Sequence, residues 1–346
     1  MKLGYTIHLA KKDEYLSFDT VQFTVSKYHL AHARNTLGKF RNWGSTEQKV
    51  LVHLDFYSTL PRFIFMAAAY QNSMVYEIHS AIYASHPGFR KEYGFPNVLG
   101  CIVHTDTPFS QAAVADLWEN GIPKDGRSLL EFILKYWTSN LYRDPEELVD
   151  VLMPCFAISD TIDDLHRNIY YTSASHLLQR LNKFNNGDIF QDTYKGHIFL
   201  ENTVRVYDRS KRFDTFGKLD SLIELVNLSE LFGICIDEEH AFAAGDHTLI
   251  DYDKGLVRPR WEFIPKDYVE DSRVLVHLNT IPKEVTYNSF LDRHSFTTLF
   301  ESKGISSDVY QSLMTMLEAY HIPYVREVKE ETIVRELKQL RYGIHD

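Results

Sequence analysis

Three short apolar runs, each closing on a histidine, constrain the fold of this chain most: Lys49-Val-Leu-Val-His53-Leu-Asp55, Cys101-Ile-Val-His104-Thr-Asp106 and Arg273-Val-Leu-Val-His277-Leu-Asn279. Runs this short and this rich in valine and isoleucine read as buried strands rather than helix segments. Their flanking sequences do not align, so they are not units of a repeat array. Side chains two apart share one face of a strand, and His-x-Asp at the carboxyl end of a sheet can therefore offer two donors to a divalent metal. His104 with Asp106 is the leading pair, because a helix opened by Pro108 follows as in a β-α unit; His53 with Asp55 comes second. An apolar strand that merely ends in a polar residue accounts for the same echo without chemistry.

Elsewhere the periodicity divides the chain. Val21, Phe23 and Val25 alternate as in an edge or hairpin strand, and Leu30, Ala33, Leu37 and Phe40 are spaced as in a helix. A long helix-compatible region covers 62–84. Helical spacing then dominates 127–184, where Asp144-Pro145-Glu146-Glu147 is a strong helix start, with proline in the first turn and acids at the positive end of the dipole. Residues 188–208 read as a hairpin-like pair of strands, 219–232 as an amphipathic helix, and 233–236 as a buried strand. Residues 255–290 look strand-rich, and the tail reads as helices at 307–320 and 330–340 joined by the strand-like HIPYVREV. The expectation is an α+β fold with a largely helical first half and a mixed, strand-rich second half. The corresponding domains are 1–186 and 187–346, the latter ending in helices.

Composition sets limits on partners. A chain that is 44% hydrophobic and 24% charged can bury a sizeable core, so it is not a largely disordered one. A net charge of -10 repels phosphate backbones and anionic membranes. The one basic cluster, Arg205, Arg209, Lys211 and Arg212, is interleaved with Asp208 and Asp214, so nucleic acid is expected only through that local patch. No apolar run approaches the length of a membrane span. Cys101, Cys155 and Cys235 are far apart in apolar surroundings, which fits buried thiols in a reducing, cytoplasmic setting.

The densest run of metal-capable side chains is DEEHAFAAGDHTLIDYD at 237–253. His240, Asp246 and His247 join His104 and Asp106 as the expected metal ligands. Mixed imidazole and carboxylate donors suit zinc, manganese or iron, with Glu238 or Glu239 as general base. His29 and His32, at helical i, i+3 spacing, are weaker ligand candidates, while His166 and His176 read as partly buried helix histidines. No phosphate-binding glycine loop, GxSxG elbow or HExxH is present. Two readings stay open here. One is a metal-assisted hydrolase, either a phosphoesterase or an enzyme processing nucleotides or nucleic acid. The other is a non-catalytic binding or assembly protein using an aromatic-rich helical surface, as a homo-oligomer or with a protein partner.

Overall fold

The structure is a computed structural model that describes residues 4–7, 20–25, 49–54, 59–86, 97–184, 196–203, 205–208, 211–213, 219–244, 246, 248–258, 264–279, 281, 298, 301, 305–328 and 330–342. The strands are β1 (Gly4–Ile7), β2 (Thr20–Val25), β3 (Lys49–Leu54), β4 (Asn97–His104), β5 (His197–Glu201), β6 (Arg205–Asp208), β7 (Lys211–Phe213), β8 (Phe232–Asp237), β9 (Ile250–Asp251), β10 (Leu256–Val257), β11 (Val274–His277) and β12 (Tyr324–Arg326). Eight of them close into a barrel in the order β1-β2-β3-β4-β5-β8-β11-β12 and back to β1. Every neighbouring pair in it is parallel.

Parallel neighbours require a long return connection, and helices fill most of those described here. Helix α1 (Ala68–Ala84) links β3 to β4. Helices α2 (Gln111–Asn120), α3 (Gly126–Tyr136), α4 (Pro145–Ile158) and α5 (Ile162–Phe184) lie between β4 and β5. Then follow α6 (Leu219–Val226) before β8, α7 (Glu238–Ala244) and α8 (Lys266–Glu270) before β11, α9 (Ser307–Ala319) before β12, and α10 (Glu330–Tyr342) after it. The result is a closed, all-parallel eight-stranded barrel with helices in its described connections. Local chemistry fixes several helix starts: Ser110 Oγ accepts from Ala113 N at the head of α2, and Asp144, followed by Pro145, accepts from Glu146 N at the head of α4.

The mixture of helix and strand matches the expected class, while barrel strands come from both halves of the chain. Thr20–Val25 is neither edge nor hairpin, because β2 lies between β1 and β3 in a closed sheet that has no edge. Residues 188–208 do not form a hairpin either: β5 pairs with β4 and β8, while β6 pairs with β7. The division between 1–186 and 187–346 falls between β4 and β5, which are hydrogen-bonded neighbours. Helices α2 to α5 all lie in one crossover of the barrel, between β4 and β5. The helix read from Leu30, Ala33, Leu37 and Phe40, with His29 and His32, lies outside the described residues.

Strand alternation sorts the core into two bodies. Leu51, Ile102, Phe199, Cys235, Leu275 and Val325 form one buried cluster, each from a different barrel strand. Their chain neighbours Val50, Val52, Cys101, Val103, Ile198, Leu200, Ile234, Ile236, Val274, Val276 and Tyr324 belong to the larger core beneath the helices. The smaller cluster is the filling of the barrel, and the larger one its outer wall.

One irregularity sets the phase of β4. The register with β3 shifts at Val50/Leu51, where Val98 and then Gly100 are the successive partners and Leu99 is the extra residue. Such a bulge exchanges the faces of all later residues. Leu99 packs on the interior cluster and Ile102 belongs to it, an odd spacing that only the bulge reconciles. Gly100 has φ +143°, and a Cβ there would lie 1.9 Å from His197 O, so the bulge requires glycine. Because of it, Ile102 and His104 point into the barrel.

Candidate metal centre

Each residue of the interior cluster has a polar residue two positions on. Leu51 is followed by His53, Ile102 by His104, Phe199 by Glu201, Cys235 by Asp237, Leu275 by His277 and Val325 by Glu327. A period of two keeps each pair on one face, so six polar side chains form a layer directly above the apolar filling, at the carboxyl ends of the strands. This is the end of such barrels where functional side chains gather.

The layer is tightly interlocked. Glu201 Oε2 lies 3.1 Å from His53 Nε2 and 3.2 Å from His104 Nε2. Glu201 Oε1 lies 3.3 Å from His277 Nδ1 and 3.7 Å from His240 Nδ1. The His53 ring meets that of His104 edge-on at 4.6 Å and stacks with that of His277 at 5.6 Å between centroids. His53, Glu201, His277 and Glu327 sit close enough to hold a metal ion, with ligand atoms within 4.8 Å of one another; Glu201, Asp237 and His240 form a second such set.

Surrounding hydrogen bonds define which ring nitrogens face the centre. His53 Nδ1 donates to Leu54 O at 2.6 Å, which turns Nε2 inward to hydrogen-bond with Glu201 Oε2 at 3.1 Å. Gln22 Nε2 donates to Glu327 Oε1 at 2.7 Å, so its Oε1 is the acceptor for His277 Nε2 at 2.9 Å. His277 Nδ1 is therefore the inward nitrogen, with Glu201 Oε1 at 3.3 Å, Glu327 Oε2 at 3.4 Å and Asp237 Oδ2 at 3.9 Å around it. Asn279 Nδ2 donates to Asp237 Oδ2 at 2.5 Å and to Glu327 Oε2 at 3.3 Å. His240 Nδ1 donates to Asn202 O at 2.8 Å, and Asn202 in turn brackets Asp237 through its N and O.

Burial makes this arrangement electrostatically demanding. Glu201, Asp237 and His277 are all 0% exposed, and three carboxylates around one imidazole nitrogen repel each other unless a cation lies between them. Burial alone would raise the Glu201 carboxyl, but His104 and His277 hold it well below the usual range. Burial would lower His104 and His240; Glu201 holds the former up, and Asp237 with Glu201 the latter. In a metal-free centre, protons on these rings balance the carboxylates; a metal ion does so in their place. Glu201 Oε1 and His277 Nδ1 face each other at 3.3 Å in full burial, a pair of donor atoms that a cation satisfies.

The expected ligands meet this centre unevenly. His104 and His240 belong to its rim. Asp106 is buried just beyond β4 and acts on His104 electrostatically, but lies in neither close-set ligand group among the described residues. Asp246 is engaged elsewhere: its Oδ2 accepts from Leu219 N at 2.5 Å, at the head of α6. His247 and Asp55 lie outside the described residues. Glu238 turns away as well, its two oxygens accepting the Leu249 amide at 2.6 and 2.8 Å, while Glu239 is buried in the first turn of α7. Glu201, Asp237, His277 and Glu327 were missing from the expected ligand set. The signal for them was the apolar-x-polar ending shared by all six strands, stronger than the local density of acids at 237–253. Of the basic patch, Arg205, Lys211 and Arg212 fall on the β6–β7 ribbon, and Arg209 lies outside the described residues.

The fold and centre together define a class, a closed parallel barrel with a buried histidine–carboxylate cluster at the carboxyl ends of its strands. Comparison of the chain with known protein families, with curated proteins and with solved structures finds no match. Among the described residues, no helix is long and apolar enough to cross a membrane.

Proposed function

We propose that this protein is a metal-dependent hydrolase acting on phosphoesters such as those of nucleotides. The observation that carries the reading is His277 Nδ1, ringed at 3.3 to 3.9 Å by Glu201, Glu327 and Asp237 in a fully buried position. His53, Glu201, His277 and Glu327 would hold zinc, manganese or iron, and an ion there would acidify a bound water and polarise an ester oxygen. Asp237, oriented by Asn279 and by the His240 amide at 2.9 Å, is the base that takes the water proton. His104 and His240, with side chains 17% and 16% exposed, face the open end, where they contact substrate and supply a proton to the leaving group.

Elemental analysis of the purified protein tests the first half. About one divalent transition metal per chain is expected, lost in His277→Asn and Glu327→Gln; a metal-free protein whose unfolding temperature ignores added zinc, manganese and iron overturns it. Turnover of phosphomonoesters and phosphodiesters by the loaded protein, abolished in Asp237→Asn with metal retained, tests the second. The assembly reading draws on Trp118 and Ile158, 58% and 70% exposed on α2 and α4, and predicts a multimeric mass in solution.

A further inference from the structure

A strongly basic cleft on the outside of the barrel has no part in the centre described above. Phe63, Gln71, Arg143, His176, Arg180 and Lys183 line a cavity of about 290 Å³ between the start of α1, the segment before α4 and the end of α5. Its cations are held by neutral partners. Gln71 is 1% exposed and its Nε2 donates to Phe63 O at 2.9 Å and Met66 O at 3.0 Å. That leaves Gln71 Oε1 as an acceptor, and Arg180 Nη2 donates to it at 2.7 Å. The guanidinium is thereby aimed without being neutralised. Arg143 is anchored through its backbone N to Phe65 O at 2.9 Å, and its buried Nε has no hydrogen-bond acceptor. Burial, with Arg180 adding repulsion against the opposing pull of Glu147, holds the Arg143 guanidinium below its usual range; burial and both arginines push His176 down. Among the described residues, no carboxylate lies within ion-pair distance of Arg143, Arg180 or Lys183.

In a chain of net charge -10, two arginines and a lysine that have no ion-pair carboxylate among the described residues, with Glu147 pulling on Arg143 only from beyond that distance, are a local inversion of the molecule's field. Planar guanidinium forks match the oxygens of a phosphoryl group, and a buried donor without an acceptor awaits one. The volume suits a small ligand rather than an extended one. We propose that this cleft binds the phosphoryl group of a small soluble phosphate or phosphate monoester, at a site distinct from the metal centre. The two are set apart along α5: Tyr170 donates to Thr105 O beside His104, and Arg180 follows ten residues on, about 15 Å along the helix.

Titration calorimetry on the full chain at low ionic strength, after treatment with chelator, decides it. Inorganic phosphate and glycerol phosphate are the probes, with chloride at equal ionic strength as control. Saturable one-to-one binding is expected for phosphate or its ester, weakened at least tenfold in Arg143→Gln/Arg180→Gln and unchanged in Glu201→Gln. Tighter binding of the ester than of phosphate identifies the monoester as ligand, and the reverse identifies the free ion. Absence of saturation, equal binding in the double variant, or loss in Glu201→Gln alone overturns the proposal. Should the double variant not fold, exposed Lys183→Gln replaces it, with about threefold weaker binding expected and unchanged affinity counting against the site. Because Glu201→Gln disables the barrel-end centre, failure of the hydrolase reading leaves this result intact.

Discussion

His166 is a histidine that the fold keeps neutral. It stacks on Phe109 with centroids 5.1 Å apart, sets Nε2 3.1 Å from Thr107 Oγ1, and is pushed down to about 3 by burial. In the unfolded chain its pKa returns to about 6.5. The unfolded state therefore binds the extra proton first, and the stability that neutral His166 contributes is lost as pH falls from about 6.5 toward 3. Between pH 7 and pH 5 this one residue is expected to remove about 2 kcal/mol, so His166→Gln should lose that much less than the parent chain over the interval in urea titrations. At this scale the sequence was partly readable. His166 was legible as a buried helix histidine, and His104 and His240 as parts of a polar centre. Glu201 and Glu327 were not, since the partners of each lie on other strands and neither stands in a His-x-Asp pair of its own.

Elements contribute by where they begin, end and slip. The β4 bulge carries the orientation of His104, and Gly100→Ala would place a methyl 1.9 Å from the β5 backbone at a φ that disfavours side chains. A loss on the order of 4 kcal/mol is expected, with reduced metal content in whatever fraction folds; unfolding titrations and elemental analysis read both. At the other end, Arg326 projects outward from β12 and binds Glu336 of α10 at 2.8 and 3.3 Å, while its Nη1 donates to Leu278 O at 2.6 Å. That fully buried pair fixes the chain on either side of His277 and Glu327. Glu336→Ala leaves a guanidinium buried without its partner, and about 3–5 kcal/mol of destabilisation is expected by chemical denaturation. Helix starts such as Asp144-Pro145 were legible because their chemistry is local. The bulge was not, because a register shift exists only between two strands.

The whole molecule is one closed circuit, β1 pairing with β12 through Gly4 and Val325. Closure stayed hidden in the sequence because these strands are four and three residues long and carry little pattern of their own. The helical crossover from β4 to β5 further disguised a single barrel as two unlike halves. A metal ion bound only by the closed form stabilises it by mass action. Saturating the chelator-treated protein with zinc, manganese or iron should, for the ion that fits, raise the unfolding temperature on the order of 5 °C, and Glu201→Gln should abolish the increase in differential scanning fluorimetry.

The filling of Leu51, Ile102, Phe199, Cys235, Leu275 and Val325 makes the centre a blind alley. Among the described residues this filling closes the barrel below Glu201, so the centre is open over the strand ends. Under the proposed hydrolase function, substrate would enter and product leave by that one doorway.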